Sequence, residues 1–79
     1  MKQLINELDD SLGKSAYATK GFSERSISVF PMPDYDFISQ VAMERIVTFC
    51  RNHGFHYYIN FTDKCIDVYD PAYLQQYID

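Results

Sequence analysis

The stretch FHYYINFTDKCIDVY, residues 55–69, leaves this chain the fewest options. Phe55, Tyr57, Ile59 and Phe61 alternate with His56, Tyr58, Asn60 and Thr62, and further on Ile66 and Val68 alternate with Cys65, Asp67 and Tyr69. A period of two sends successive side chains to opposite faces of a strand. The two runs therefore read as a β-hairpin with one apolar face and one polar-aromatic face. Its turn centres on Asp63 and Lys64 and has no glycine, so a four-residue loop suits it as well as a tight two-residue one. Pairing Phe61 with Ile66 and Ile59 with Val68 sets Tyr58 opposite Tyr69 and Asn60 opposite Asp67.

The apolar face needs a cover, and the preceding segment supplies one. In residues 34–52, Ile38, Val41, Ala42, Ile46, Phe49 and Cys50 form a stripe at helical spacing, widened by Met43 and Val47. Asp34 or Asp36 is the N-cap candidate. Gly54 suits a left-handed stop, and Arg51 and His53 suit the negative end of the helix dipole. Ile38, Ala42, Ile46 and Phe49 are expected to pack on Phe55, Tyr57, Ile59, Phe61, Ile66 and Val68.

Upstream, residues 25–30 (RSISVF) read as a strand with Ile27 and Val29 on one side, ended by Pro31 and Pro33. A first helix spans about Lys2–Leu12, with Leu4, Ile5, Leu8 and Leu12 on one face and Gly13 as its stop. The following GKSAYATKGF is small and glycine-flanked and reads as a loop. At the far end, Asp70 followed by Pro71 reads as an N-cap and first helical residue. They open a short helix carrying Tyr73, Leu74, Tyr77 and Ile78. The expected fold is α+β: a small two-layer domain of order α-β-α-β-β-α, its central helix packed on a three-stranded sheet with a C-terminal hairpin.

At 79 residues the chain is expected to form a single domain, 1–79, with a small core. A hydrophobic fraction of 47% is too high for a disordered chain. The net charge of −4 arises entirely after residue 25, where Arg45, Arg51 and Lys64 face Asp34, Asp36, Glu44, Asp63, Asp67, Asp70 and Asp79. Nucleic-acid binding needs cations to displace counterions from phosphates, and no basic stripe is present, so no direct nucleic-acid contact is expected. The first residues lack the apolar run of a signal peptide and no segment has the length of a membrane span, so no membrane partner is expected. Two cysteines are too few for a disulfide scaffold, which points to a cytoplasmic protein with reduced thiols. The sequon at Asn60 then carries no glycan.

Chemistry-bearing constellations are sparse. Cys50, His53 and His56 are spaced by two residues each, but they leave a helix core, a helix end and a strand face in three directions. With Cys65 they define only a minor alternative, a small metal-binding protein or enzyme. No phosphate-binding or nucleophile motif occurs, and no cofactor and no catalysis are expected. The tyrosines point elsewhere. Tyr58 and Tyr69, with Asn60 and Asp67, decorate the outer face of the hairpin, and aromatic anchors among polar groups are what protein interfaces use. That face is a docking surface, a surface covered by the first helix, or a plain solvated sheet.

The class expected is a small acidic protein-binding module. Its profile suits an inhibitor that occupies a basic, nucleic-acid-binding site on a larger protein. Phage-encoded anti-defence proteins (anti-CRISPR or anti-restriction), antitoxins and immunity proteins share this size and charge. The expected partner-binding residues are Tyr58, Asn60, Asp67, Tyr69, Asp63, Asp34 and Asp36. A dimerising accessory or regulatory subunit, with a homodimer contact, is the alternative within the same class.

Overall fold

The computed structural model describes residues 1–73 and is an α+β domain of two layers. Its elements run α1 (Lys2–Leu12), β1 (Ala16–Lys20), β2 (Ser26–Pro31), α2 (Gln40–His53), β3 (His56–Asn60) and β4 (Cys65–Tyr69). The four strands form one antiparallel sheet in the order β1-β2-β4-β3. The order α-β-β-α-β-β thus replaces the expected three-stranded arrangement. The helix expected after Pro71 starts as foreseen: Asp70 Oδ1 accepts from the Ala72 amide at 3.0 Å and residues 71–73 are helical. Leu74, Tyr77 and Ile78 lie outside the described residues.

The extra strand comes from the segment read as a loop. Within it Ala16 and Ala18 alternate with Tyr17 and Thr19, a strand pattern hidden by small residues. Small size is what the place requires, because α1 follows directly before β1 and packs against it, and Ala16 is fully buried beneath it. The β1–β2 connection turns at Gly21. A Cβ there would sit 2.4 Å from Ser26 Oγ and 2.8 Å from the Ile27 amide, so no side chain fits. Ser26 Oγ secures the same turn, accepting from the Ser23 amide at 2.7 Å and donating to the Ser23 carbonyl at 3.0 Å.

Both helices lie on one face of the sheet. Leu8 and Leu12 of α1 and Ala42, Ile46, Phe49 and Cys50 of α2 meet Ala16, Ile27, Val29, Phe55, Ile66 and Val68 in one core. At the C-terminal end of α2 His53 Nε2 meets Glu7 Oε2, midway along α1, at 2.5 Å. With two helices over β1, β2 and β4, the edge strand β3 is left out. Tyr57 and Ile59 face the helix side but remain 39% and 44% exposed, and Phe61 is 77% exposed. The expected packing of α2 on Tyr57, Ile59 and Phe61 is therefore corrected. The core under α2 is β2 and β4.

Two boundaries also move. The second helix starts at Gln40 with Ser39 as its cap, Ser39 Oγ accepting from the Ala42 amide at 3.2 Å. Asp34 and Asp36 cap nothing, because Pro33 sets a turn in which the Tyr35 amide donates to the Met32 carbonyl at 2.9 Å. Ile38 then occupies the position before the cap, packed against the core. In the hairpin, Tyr58 pairs with Asp67, Ile59 with Ile66 and Asn60 with Cys65, around a four-residue loop. That is two residues from the expected register. A slip of two keeps every side chain on its face, whereas a slip of one would have inverted them all.

Candidate functional site

The outer face of the sheet carries the residues singled out from the sequence. Since α1 packs in the core on the opposite face, it does not cover them. In the observed register Tyr58 and Tyr69 are diagonal neighbours with ring centroids 5.9 Å apart, and His56 meets Tyr69 edge-on, also at 5.9 Å. Phe22, from the β1–β2 turn, reaches to within 6.4 Å of the Tyr58 ring. Because β2 and β4 lie between β1 and β3, that ring spans the middle of the face. Tyr17 stacks on Phe30 at 5.7 Å on the β1 side.

Asp67 sits in the middle strand pair and is only 3% exposed, so it is not the solvent-facing charge that the alternation assigned to it. Its carboxylate accepts from Ser28 Oγ at 2.7 Å, from Asn60 Nδ2 at 3.0 Å and from Cys65 Sγ at 3.7 Å. Four neutral groups surround the charge, Tyr58 being the fourth. Desolvation first, and then a hydrogen bond to Asp67, raise the Tyr58 hydroxyl above its ordinary pKa. Burial of a polar group is tolerated where its atoms are hydrogen-bonded, and both oxygens of this carboxyl group are. Asn60 has a structural task as well. Its side chain accepts from the Asp63 amide at 3.0 Å and donates to Asp63 Oδ2 at 3.1 Å, closing the hairpin loop in which Lys64 takes a left-handed φ of 57°. Of the four residues expected to decorate this face, Tyr58 and Tyr69 present rings, while Asn60 and Asp67 hold the strands together.

The acidic residues gather elsewhere. The turn carrying Asp34 and Asp36 and the hairpin loop carrying Asp63 lie at the same end of the sheet, tied by Phe37 and Phe61 with centroids 6.5 Å apart. Asp34, Tyr35, Asp36, Phe61 and Asp63 are all exposed there, and the two loops contain one cation, Lys64. Sequence reasoning missed Phe61 as a surface residue and Phe22 altogether. Phe61 continued an apolar alternation past the end of its strand, and Phe22 lay in a segment without apparent pattern.

The residues of the metal alternative are dispersed. Cys50 lies in the helix-side core. His53 contacts Glu7 and the Phe49 ring, His56 meets Tyr69, and Cys65 is on the outer face beside Asp67. Among the described residues no group of three His, Cys, Asp or Glu is placed to hold a metal ion. Both thiols are unbridged and buried, and desolvation pushes each pKa up to about 11, helped at Cys65 by the Asp67 charge. A cleft of about 120 Å³ between α1 and α2 is smaller than the roughly 300 Å³ at which small-molecule sites begin. A larger groove is walled by α2 alone, along Gln40, Met43, Glu44, Val47, Thr48 and Arg51. Among the described residues no helix is long and apolar enough to cross a membrane. Comparison with protein-family models, with curated proteins and with solved structures gives no match for this chain.

Proposed function

We propose that this chain is a non-catalytic protein-binding module that docks its acidic, aromatic end into a basic site on a larger protein. The observation that carries the reading is the contact of Phe37 with Phe61, which joins the turn of Asp34, Tyr35 and Asp36 to the loop of Phe61 and Asp63. Exposed aromatic rings interleaved with carboxylates suit a partner with cationic side chains around an apolar groove. The charges steer the encounter and the rings supply the anchoring. The row of Tyr58 and Tyr69 on the adjoining face extends the same surface. Asp67 and Asn60 act in it as supports, holding the Tyr58 hydroxyl and the hairpin loop.

In its finer form the reading makes the partner a nucleic-acid-binding protein and the chain its inhibitor in the cytoplasm. Phage-encoded anti-CRISPR and anti-restriction proteins, antitoxins and immunity proteins work in this manner, and the net charge of −4 on a chain of this size supports the comparison. The test is capture of a partner by the wild-type chain and by an Asp34→Lys, Asp36→Lys variant, at low and at high salt. A basic protein held by the wild type, released by salt and lost with charge reversal supports the reading. The same partner captured equally by both chains at both salt concentrations would refute it.

A further inference from the structure

The two edges of the sheet are finished differently. At β1 the Ala18 amide is bonded by Asp9 Oδ1 of α1 at 2.9 Å, so the helix closes that edge. At β3 no described side chain or loop bonds the outward backbone, and the strand HYYIN contains no lysine, proline, glycine or acidic residue. Alternate amides of an antiparallel strand point away from its neighbour, so β3 presents unpaired donors and acceptors to whatever strand approaches. Exposed edges are ordinarily blunted by charge, proline or a bulge, and this one is flanked by apolar side chains as well.

We propose that a second copy of this chain occupies the β3 edge, pairing antiparallel about a two-fold axis at Tyr58 to give a continuous eight-stranded sheet. An axis there lets all five residues of β3 pair, with Tyr58 opposite Tyr58 of the second copy and Tyr57 opposite Ile59 on the helix side. These aromatic–aliphatic pairs cover the two side chains that α2 leaves bare. Charge selects the same place. Two copies of net charge −4 repel, and β3 is a strip through which they can meet without opposing carboxylates. The exposed parts of Tyr57, Tyr58, Ile59 and Phe61 amount to on the order of 400 Å² per copy. That is below the roughly 600 Å² per partner of stable specific complexes, so the dimer is weak and concentration-dependent.

The test is sedimentation equilibrium of the full chain over a concentration series reaching about 1 mM, at two salt concentrations. The wild type shifts from 9.3 kDa toward twice that mass, and salt favours the dimer by screening the like charges. That direction is opposite to the one for docking a basic partner, so either idea can fail without the other. Ile59→Lys, which places a charge beside the paired edge, keeps the chain monomeric with an unchanged melting temperature. Tyr58→Cys, at the axis, gives a disulfide-linked dimer under mild oxidation, while Thr19→Cys on β1 does not. A wild type that stays monomeric throughout, a dimer that survives Ile59→Lys, or equal cross-linking of the two cysteine variants overturns the proposal.

Discussion

Asp67→Ala tests most directly how the sheet is held together, because the sequence suggested an exposed charge and the structure buries it. The substitution removes the acceptor of Ser28 Oγ at 2.7 Å and of Asn60 Nδ2 at 3.0 Å. Asn60 keeps its bond to Asp63 Oδ2, but the nearly buried Ser28 hydroxyl loses the only side-chain acceptor it has among the described residues. A buried polar group left unpaired costs about 1–3 kcal/mol, and bonds to a charged acceptor lie toward the upper part of that range. At roughly 4–8 °C per kcal/mol for a domain of this size, the melting temperature falls by on the order of 10 °C or more. Thermal unfolding followed by far-ultraviolet circular dichroism measures it. Ser28→Ala supplies the control, since in the Asp67→Ala background it costs much less than in the wild type. Asp67→Asn lies between, because its amide offers Ser28 an oxygen but meets Asn60 with donor against donor. A melting temperature for Asp67→Ala within about 2 °C of wild type, the behaviour of an exposed substitution, would refute the burial of this carboxylate.

Three other perturbations have defined outcomes. Phe49→Ala empties a core position that meets Phe55 at 5.9 Å and His53 at 4.5 Å, and urea denaturation should show a loss of about 3–5 kcal/mol. A loss below about 1 kcal/mol would mean that another face of α2 is buried. Cys50 and Cys65, both with pKa near 11, should resist a thiol reagent at pH 8 in the native state and react fully in denaturant. Fast native labelling of either thiol contradicts its burial. Asp70 receives Arg25 Nη2 at 3.0 Å and Nε at 3.3 Å, and that hydrogen bonding holds its carboxyl below the ordinary value of 3.8. Its stabilising contribution is therefore present above the unfolded pKa and is lost as pH falls through the depressed folded pKa. Asp70→Asn should lower the melting temperature at pH 7, and the difference from wild type should close in acid. A difference independent of pH would remove Arg25 as its cause.

Local periodicity was enough to locate α1, α2, β2, β3 and β4, because each carries a period of 3.6 or 2 in side chains large enough to register. The α+β class followed from them. Even the error in hairpin register was harmless to the faces, since a shift of two residues conserves the alternation. Tyr58 and Tyr69 were legible as rings on one face for the same reason, although only Tyr58 is exposed and Tyr69 is half-buried. What the sequence left open is everything that depends on which strand lies beside which. Ser28 and Asp67 are 39 residues apart, and only the β2–β4 pairing brings them together, turning a surface carboxylate into a buried acceptor. β1 was invisible because the helix above it demands alanine, so packing had removed the bulky residues by which strands are recognised. The exposure of Tyr57, Ile59 and Phe61 was equally nonlocal. An alternating apolar strand is covered or bare according to where two helices settle on four strands. That placement is decided by the summed burial of Leu8, Leu12, Ile46, Phe49 and their neighbours rather than by any property of β3 itself.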